Sequence, residues 1–281
     1  MSRTVRITLL VENTAQGAGL LAEHGLAYWI EWGGQKAIFD TGQGNILAGN
    51  AYRLNIPLHE ADAIVLSHGH YDHTGGLAEA LKTNRLVTVY AHPAAFAPKY
   101  ARKTDGSARE IGMPHLAERA IRALHNRLVY TDQPTPVVHR LTVTGPVPRL
   151  TDFEDVGGLF FLDQACTKPD QLEDDQSVFF DTVEGTVVLL GCAHSGIINT
   201  LQYIRQLTGG RPIRAVIGGM HLGAASPERV KRTIEELRRI GVQQLAPGHC
   251  TGMSATVALW TALPTICVAC HAGKTFEFEV T

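Results

Sequence analysis

The sequence predicts an α/β fold of four layers, an αββα sandwich in which two β-sheets pack face to face and helices cover both outer surfaces. Three observations predict it. Strand-like apolar runs gather toward each end of the chain, and helical segments are interspersed among them. Loops rich in Gly and His repeatedly follow the strands, where active sites of layered α/β proteins collect.

Val5–Val11 reads as an opening strand, and Ala27–Trp32 with Gln35–Phe39 as a hairpin closed at Gly33-Gly34. A helix is expected over Ile46–Leu54, then a short buried strand over Ala63–Leu66. The glycines after it mark a sharp turn into a helix from Leu77. Leu86–Tyr90 is a further strand. From Pro93 to about Phe160 the character changes to scattered prolines, basic residues and one amphipathic helix near Leu116–Leu124. No flexible linker flanks this segment, so the reading is one domain over 1–281 with an insertion at about 93–160 covering the site. Ser177–Phe180 and Thr186–Leu190 form a second hairpin around Glu184-Gly185, followed by a helix over Ile197–Leu207 and a buried strand over Ala215–Ile217. Pro227–Ile240 starts with Ser226 as N-cap, Pro227 at the first position and Glu228 in the first turn. Gln243–Ala246 and Thr275–Val280 close the set as strands.

A chain of 281 residues buries a sizeable core without difficulty. A net charge of −2 gives no global reason to expect nucleic acid or an acidic membrane surface as partner. No apolar run approaches a membrane span and residues 1–30 lack the pattern of a secretory signal. The five cysteines, an odd number, do not make a disulfide framework, so a reducing cytoplasm is the expected location. Cys267-Val268-Ala269-Cys270 has redox-motif spacing but lies in a β-like apolar run and reads as core packing.

The segment Ser67-His68-Gly69-His70-Tyr71-Asp72-His73-Thr74-Gly75-Gly76 carries the chemistry. Residues two apart on an extended segment point the same way, so His68 and His70 can grip one ion, while Asp72 and His73 on the turn beyond can face a second. Imidazole and carboxylate are ligands of Zn²⁺ and similar borderline metals. Three more histidines follow strands beside glycines, in Gly191-Cys192-Ala193-His194-Ser195-Gly196, Gly219-Met220-His221-Leu222 and Pro247-Gly248-His249-Cys250. Together they point to one shared site.

The His68-x-His70-x-Asp72-His73 signature resembles the metallo-β-lactamase superfamily, with Asp40 in Phe39-Asp40-Thr41-Gly42 and His249 in Pro247-Gly248-His249 matching its flanking elements. Glu12-Asn13-Thr14, Gly145-Pro146-Val147-Pro148-Arg149 and the three histidine motifs are similar to its dihydropterin–ribofuranosylaminobenzene phosphate synthase branch. The resemblance implies the metallo-β-lactamase fold and two divalent ions, zinc first, with manganese or iron as alternatives. Two departures follow. Glu173-Asp174-Asp175-Gln176 stands where hydrolases of the superfamily carry a Gly-His motif, and Cys192 where they carry a bridging Asp. The implied ligand sets are then His68, His70 and His194 for one ion and Asp72, His73 and His249 for the other. Cys192 either bridges as thiolate or packs as a small residue, and Asp40 stands beside the set.

Two ions roughly 3.5–4 Å apart would lower the pKa of a shared water and generate the nucleophile. Asp72 would orient it, and His221 would donate a proton to the leaving group or support the site from behind. Lys99, Arg102, Lys103 and Arg149 are candidate clamps for an anionic small-molecule substrate. The expected activity is hydrolysis of a small phosphate-containing or otherwise anionic molecule. The alternative is transfer, a pterin-methyl condensation releasing pyrophosphate as the branch name implies. A di-iron redox protein ranks below both, because His70 stands where oxygen-reducing relatives carry a carboxylate. A non-catalytic metal-binding module is the remaining reading.

Overall fold

The computed structural model describes residues 4–84 and 86–280. The first half of the chain gives β1 (Thr4–Val11), β2 (Ala27–Trp32), β3 (Gln35–Phe39), α1 (Leu47–Arg53), β4 (Ala63–Val65), α2 (Tyr71–Thr74), α3 (Leu77–Thr83) and β5 (Thr88–Ala91). The expected insertion contains β6 (Tyr100–Arg102), β7 (Ala108–Glu110), α4 (His115–Arg122), β8 (Leu128–Tyr130), β9 (Thr135–Pro136), β10 (Thr142–Val143) and the start of β11 (Phe160–Phe161). Then come β12 (Val178–Asp181), β13 (Thr186–Leu190), α5 (Ile197–Leu207), β14 (Ile213–Gly219), α6 (Pro227–Ile240), β15 (Leu245–Gly248), α7 (Met253–Ala262) and β16 (Thr275–Glu279).

One sheet has the order β16-β1-β2-β3-β4-β5-β8 and the other β15-β14-β13-β12-β10-β9, while β11-β6-β7 form a small third sheet. The alternation of side chains along each strand explains the layering. In β2, Tyr28 and Ile30 face the core between the sheets, and Ala27 and Trp29 face the helices outside. In β13, Val187 and Leu189 face the same central core, whereas Val188 and Leu190 pack beneath the helical layer with Ile197, Leu201 and Leu237. Strands buried on both faces read as continuous apolar runs, which is why Thr186–Leu190 shows no polar alternation. The result is the expected αββα sandwich, with α1, α3 and α4 over one sheet and α5, α6 and α7 over the other.

Much of the segment 93–160, expected as an insertion, builds the sandwich itself. β8 pairs in parallel with β5 and extends the first sheet, and β10 pairs with β12 and extends the second. Strands as short as the three residues Leu128–Tyr130 fall below the apolar run of about 4–8 residues that marks a buried strand, so the sequence shows them only as irregular chain. The α7 helix, also unforeseen, carries no charged residue and has no polar face to reveal a period. Cys267 lies buried in the core under this helix, and Cys270 packs against the core between the sheets. All five cysteines are free. No helix of the described residues is long and apolar enough to cross a membrane.

Tyr28 ties the two sheets together. Its hydroxyl donates toward Leu190 O at 2.9 Å and Ile217 O at 3.2 Å, at the ends of β13 and β14, and burial pushes its pKa well up. Tyr28→Phe leaves these buried carbonyls without that donor. It should cost about 1–3 kcal/mol in urea-induced unfolding, with the fold retained.

Candidate metal centre

Parallel strands deliver the centre from their carboxyl ends. Asp40 follows β3, His68 and His70 follow β4, Cys192 and His194 follow β13, His221 follows β14 and His249 follows β15. Asp72 and His73 sit in α2, a single helical turn where an open turn was expected. Asp40, Ala193, His221 and His249 all hold left-handed backbone, with φ between 47° and 59°. Such conformations cost a non-Gly residue about 1–3 kcal/mol and persist where the surroundings fix them. Here the Asp40 carboxylate accepts from Ser67 N and Ser67 Oγ, each at 2.7 Å, and His249 N donates to Glu12 Oε1 at 2.7 Å.

Hydrogen bonds set which ring nitrogen faces inward. Ser67 Oγ, donating to Asp40, accepts from His68 Nδ1 at 2.9 Å and leaves His68 Nε2 pointing at His70 Nδ1, 2.9 Å away. His194 Nδ1 donates to Val156 O at 2.8 Å, and its Nε2 is buried with no hydrogen-bond partner among the described residues. The ligating atoms of His68, Cys192 and His194 lie within 4.8 Å of one another. Burial, then repulsion among the imidazoles, drives the pKa values of His68 and His194 well down. Burial pushes His70 down to about 3 against the pull of Asp72. These rings are neutral at physiological pH, the form that ligates a metal.

Beside them stands a second group. His73 Nδ1 donates to Asp40 Oδ2 at 2.7 Å, and its Nε2 lies 3.2 Å from His249 Nε2 and 3.1 Å from Cys192 Sγ. Asp72 Oδ2 is 3.3 Å from His249 Nε2 and 3.8 Å from His73 Nε2. Donors bound at roughly 2.0–2.2 Å to a tetrahedral ion stand about 3.3–3.6 Å apart, a range that these separations bracket. His249 Nδ1 donates to Asn13 Oδ1 at 2.9 Å, which fixes that ring as well. Burial works to raise the Asp72 pKa, but His73, His24 and His249 hold it well below the usual carboxylate range. Burial lowers the His73 pKa, and Asp40 with Asp72 more than reverses it. Cys192 belongs by distance to both groups, so its sulfur lies where a bridging donor would stand. Burial pushes that thiol up, so an ion is what would deprotonate it.

His221 packs its ring 4.1 Å from that of His194, and Cys250 and Cys192 come within ligating distance of it. Phe160 lies against His70, His194 and His221, with ring centroids 5.3, 5.4 and 6.1 Å away. The chain before it passes so close that a Cβ on Gly157, at φ +82°, would meet His221 Cδ2 at 1.9 Å. The end of the segment 93–160 therefore lies directly on the centre.

A profile of the metallo-beta-lactamase superfamily matches residues 21–229. The chain belongs to that superfamily. It is 30% identical, over 98% of its length and 97% of the relative's, to the 7,8-dihydropterin-6-methyl-4-(β-D-ribofuranosyl)-aminobenzene-5'-phosphate synthase of Methanocaldococcus jannaschii. An uncharacterized protein of the same organism is 33% identical over 90% of this chain and 93% of its own. Among solved structures, a metal-dependent hydrolase of the β-lactamase superfamily superposes with a TM-score of 0.79 at 27% identity, covering 98% of this chain and 99% of that one.

The structure corrects the anion clamp expected from the basic residues of the insertion and Arg149. Lys99 is buried, its Nζ paired at 2.9 Å with both Asp170 and Asp174, because a buried ammonium needs carboxylates around it. Arg102 donates to Cys166 O and lies over the Phe161 ring, and Arg149 donates to His194 O and Gln171 O. Lys103 is exposed in the β6–β7 turn. Three of the four are structural ties. The acidic segment likewise supports the centre from behind: Asp174 Oδ2 accepts from Gly69 N at 2.7 Å, and Asp175 Oδ2 accepts from Ser195 N at 2.8 Å. Burial raises Asp175 to about 6.

Sequence reasoning gave no role to His24, whose Nε2 lies 3.1 Å from Asp72 Oδ2, nor to Cys250 and Ser67. Cys250 was visible beside His249, whereas His24 is a lone histidine in a loop with no spacing signal.

In the metal-free protein, the depressed imidazoles take up fewer protons than the unfolded chain as pH falls below about 6.5, so stability declines on acidification. His70→Gln removes one such group. Urea unfolding at about pH 7 and about pH 5 should show this variant losing about 2 kcal/mol less than the wild type.

Proposed function

We propose that this chain is a metal-dependent hydrolase of a small phosphate-containing or otherwise anionic molecule, holding two divalent ions, zinc first. The observation that carries the reading is the meeting of two imidazole groups at one sulfur, with His68, His70 and His194 on one side of Cys192 and His73, His249 and Asp72 on the other. Bound there, divalent ions supply Lewis acidity and water of lowered pKa.

The chain's own groups do the rest. Asp72, kept ionised by three imidazoles, accepts a hydrogen bond from the attacking water and orients it. His221 holds a proton beside His194: burial lowers its pKa, but the neighbouring Cys250 sulfur more than compensates, and the ring stands ready to protonate a leaving group. Phe160 limits the access of bulk water from the side of His70 and His194. Cys192 would hold both ions from the place where a bridging donor stands.

Transfer is the second reading, favoured by the full-length similarity to the named synthase. Water as acceptor gives turnover with a single substrate. The transferase needs a pterin-methyl pyrophosphate and an aromatic amine together. A screen of phosphomonoesters, phosphodiesters and lactones, set beside that pair, separates the two. Product from one ester alone supports hydrolysis, and pyrophosphate released only when both partners are present supports transfer.

Asp72→Ala should lower both turnover and bound metal. His221→Ala should keep its metal and lose about 10²–10⁴-fold in rate. Metal analysis and kinetics on the same preparations check both. Full metal content with near-normal turnover in Asp72→Ala would rule out the hydrolytic mechanism.

A further inference from the structure

We propose that His24 is a further ligand of the second metal position, supplied from the solvent side by the loop before β2. The inference rests on the metal-dependent reading above. His24 Nε2 lies 3.1 Å from Asp72 Oδ2, the same oxygen that stands 3.3 Å from His249 Nε2. The donor atoms of His24, Asp72 and His249 all lie within 4.8 Å of one another, and the His24 and His249 rings pack at 4.8 Å. The His249–Asp72 separation matches the edge of about 3.3–3.6 Å expected around a shared ion, and the His24–Asp72 separation, at 3.1 Å, falls just inside it.

The loop is built to bring His24 there. Leu26 N donates to Asp72 O at 3.3 Å and Gly25 N to Asn13 Oδ1 at 3.2 Å, the atom that also orients His249. A Cβ on Gly25 would stand 2.7 Å from Asp72 O, so only glycine lets the chain approach Asp72 this closely. A plain surface His–carboxylate pair needs none of this, and Asp72 already has two other imidazoles near it. Ligation through Nε2 requires the His24 ring proton on Nδ1, so the 3.3 Å contact from Asn13 Nδ2 to that nitrogen is given up when the ion binds.

The side chain of His24 is 53% exposed, against 0% for His249. It is therefore the ligand that an entering anion displaces without opening the core. It closes the position between turnovers and yields it to substrate.

Zinc titration of the metal-free protein against a competing chelator tests this. The wild type should take up two ions. His24→Ala should weaken the second by no less than the roughly 10–100-fold that loss of an outer-shell partner costs. The first affinity and the urea unfolding midpoint of the metal-free protein should stay unchanged. Free imidazole should restore the second affinity. Two ions bound equally tightly by both proteins would overturn this inference alone. A loss at both positions, or one that imidazole does not restore, would mean a structural role and would overturn it too. Fewer than two ions in the wild type would overturn the dinuclear reading along with it.

Discussion

Everything at this centre depends on keeping several imidazoles uncharged and close together inside the protein. A charged imidazole beside others in a dry interior is strongly disfavoured, so His68, His70 and His194 remain neutral and present lone pairs rather than protons. The fold meets the cost by giving four of the rings a fixed acceptor, while His70 Nε2 is buried with no hydrogen-bond partner among the described residues. Ser67 serves His68, Val156 serves His194, Asp40 serves His73 and Asn13 serves His249. Asp40 sits at the hub, bonded to Ser67 through two donors and to His73 through a third.

The two sheets matter because each supplies part of the centre. The first brings Asp40, His68 and His70, and the second brings Cys192, His194, His221 and His249. Tyr28 crosses between them just below the site, and the buried Lys99–Asp174 pair links the segment 93–160 to the backbone of Gly69. Removing one partner of such a buried pair leaves an uncompensated charge and is strongly destabilising. Lys99, which looks from sequence like a substrate contact, is thus committed to holding the histidine loop.

The strands with long apolar runs and the helices with clear caps were legible in the sequence. Ile197–Leu207 and Pro227–Ile240 occupy the expected residues, because an amphipathic period and the Ser226-Pro227 start are local signals. The histidine motifs were legible for the same reason, since glycines beside a strand-end histidine are contiguous in the chain. What stayed hidden depends on distance in sequence. Nothing local shows that Lys99 faces Asp170 and Asp174, that His24 reaches Asp72, or that Leu128–Tyr130 completes a sheet. The charge of Lys99 was read correctly and its surroundings were not.

The central claim of the proposed function is that the Cys192 sulfur would be shared by the metal centre in place of a carboxylate. X-ray absorption at the zinc edge, on zinc-loaded wild type and Cys192→Ser, tests it directly. The account predicts a sulfur scatterer at about 2.3 Å in the wild type that vanishes in the variant. A shell of nitrogen and oxygen alone in both proteins, or sulfur that persists without Cys192, would contradict it.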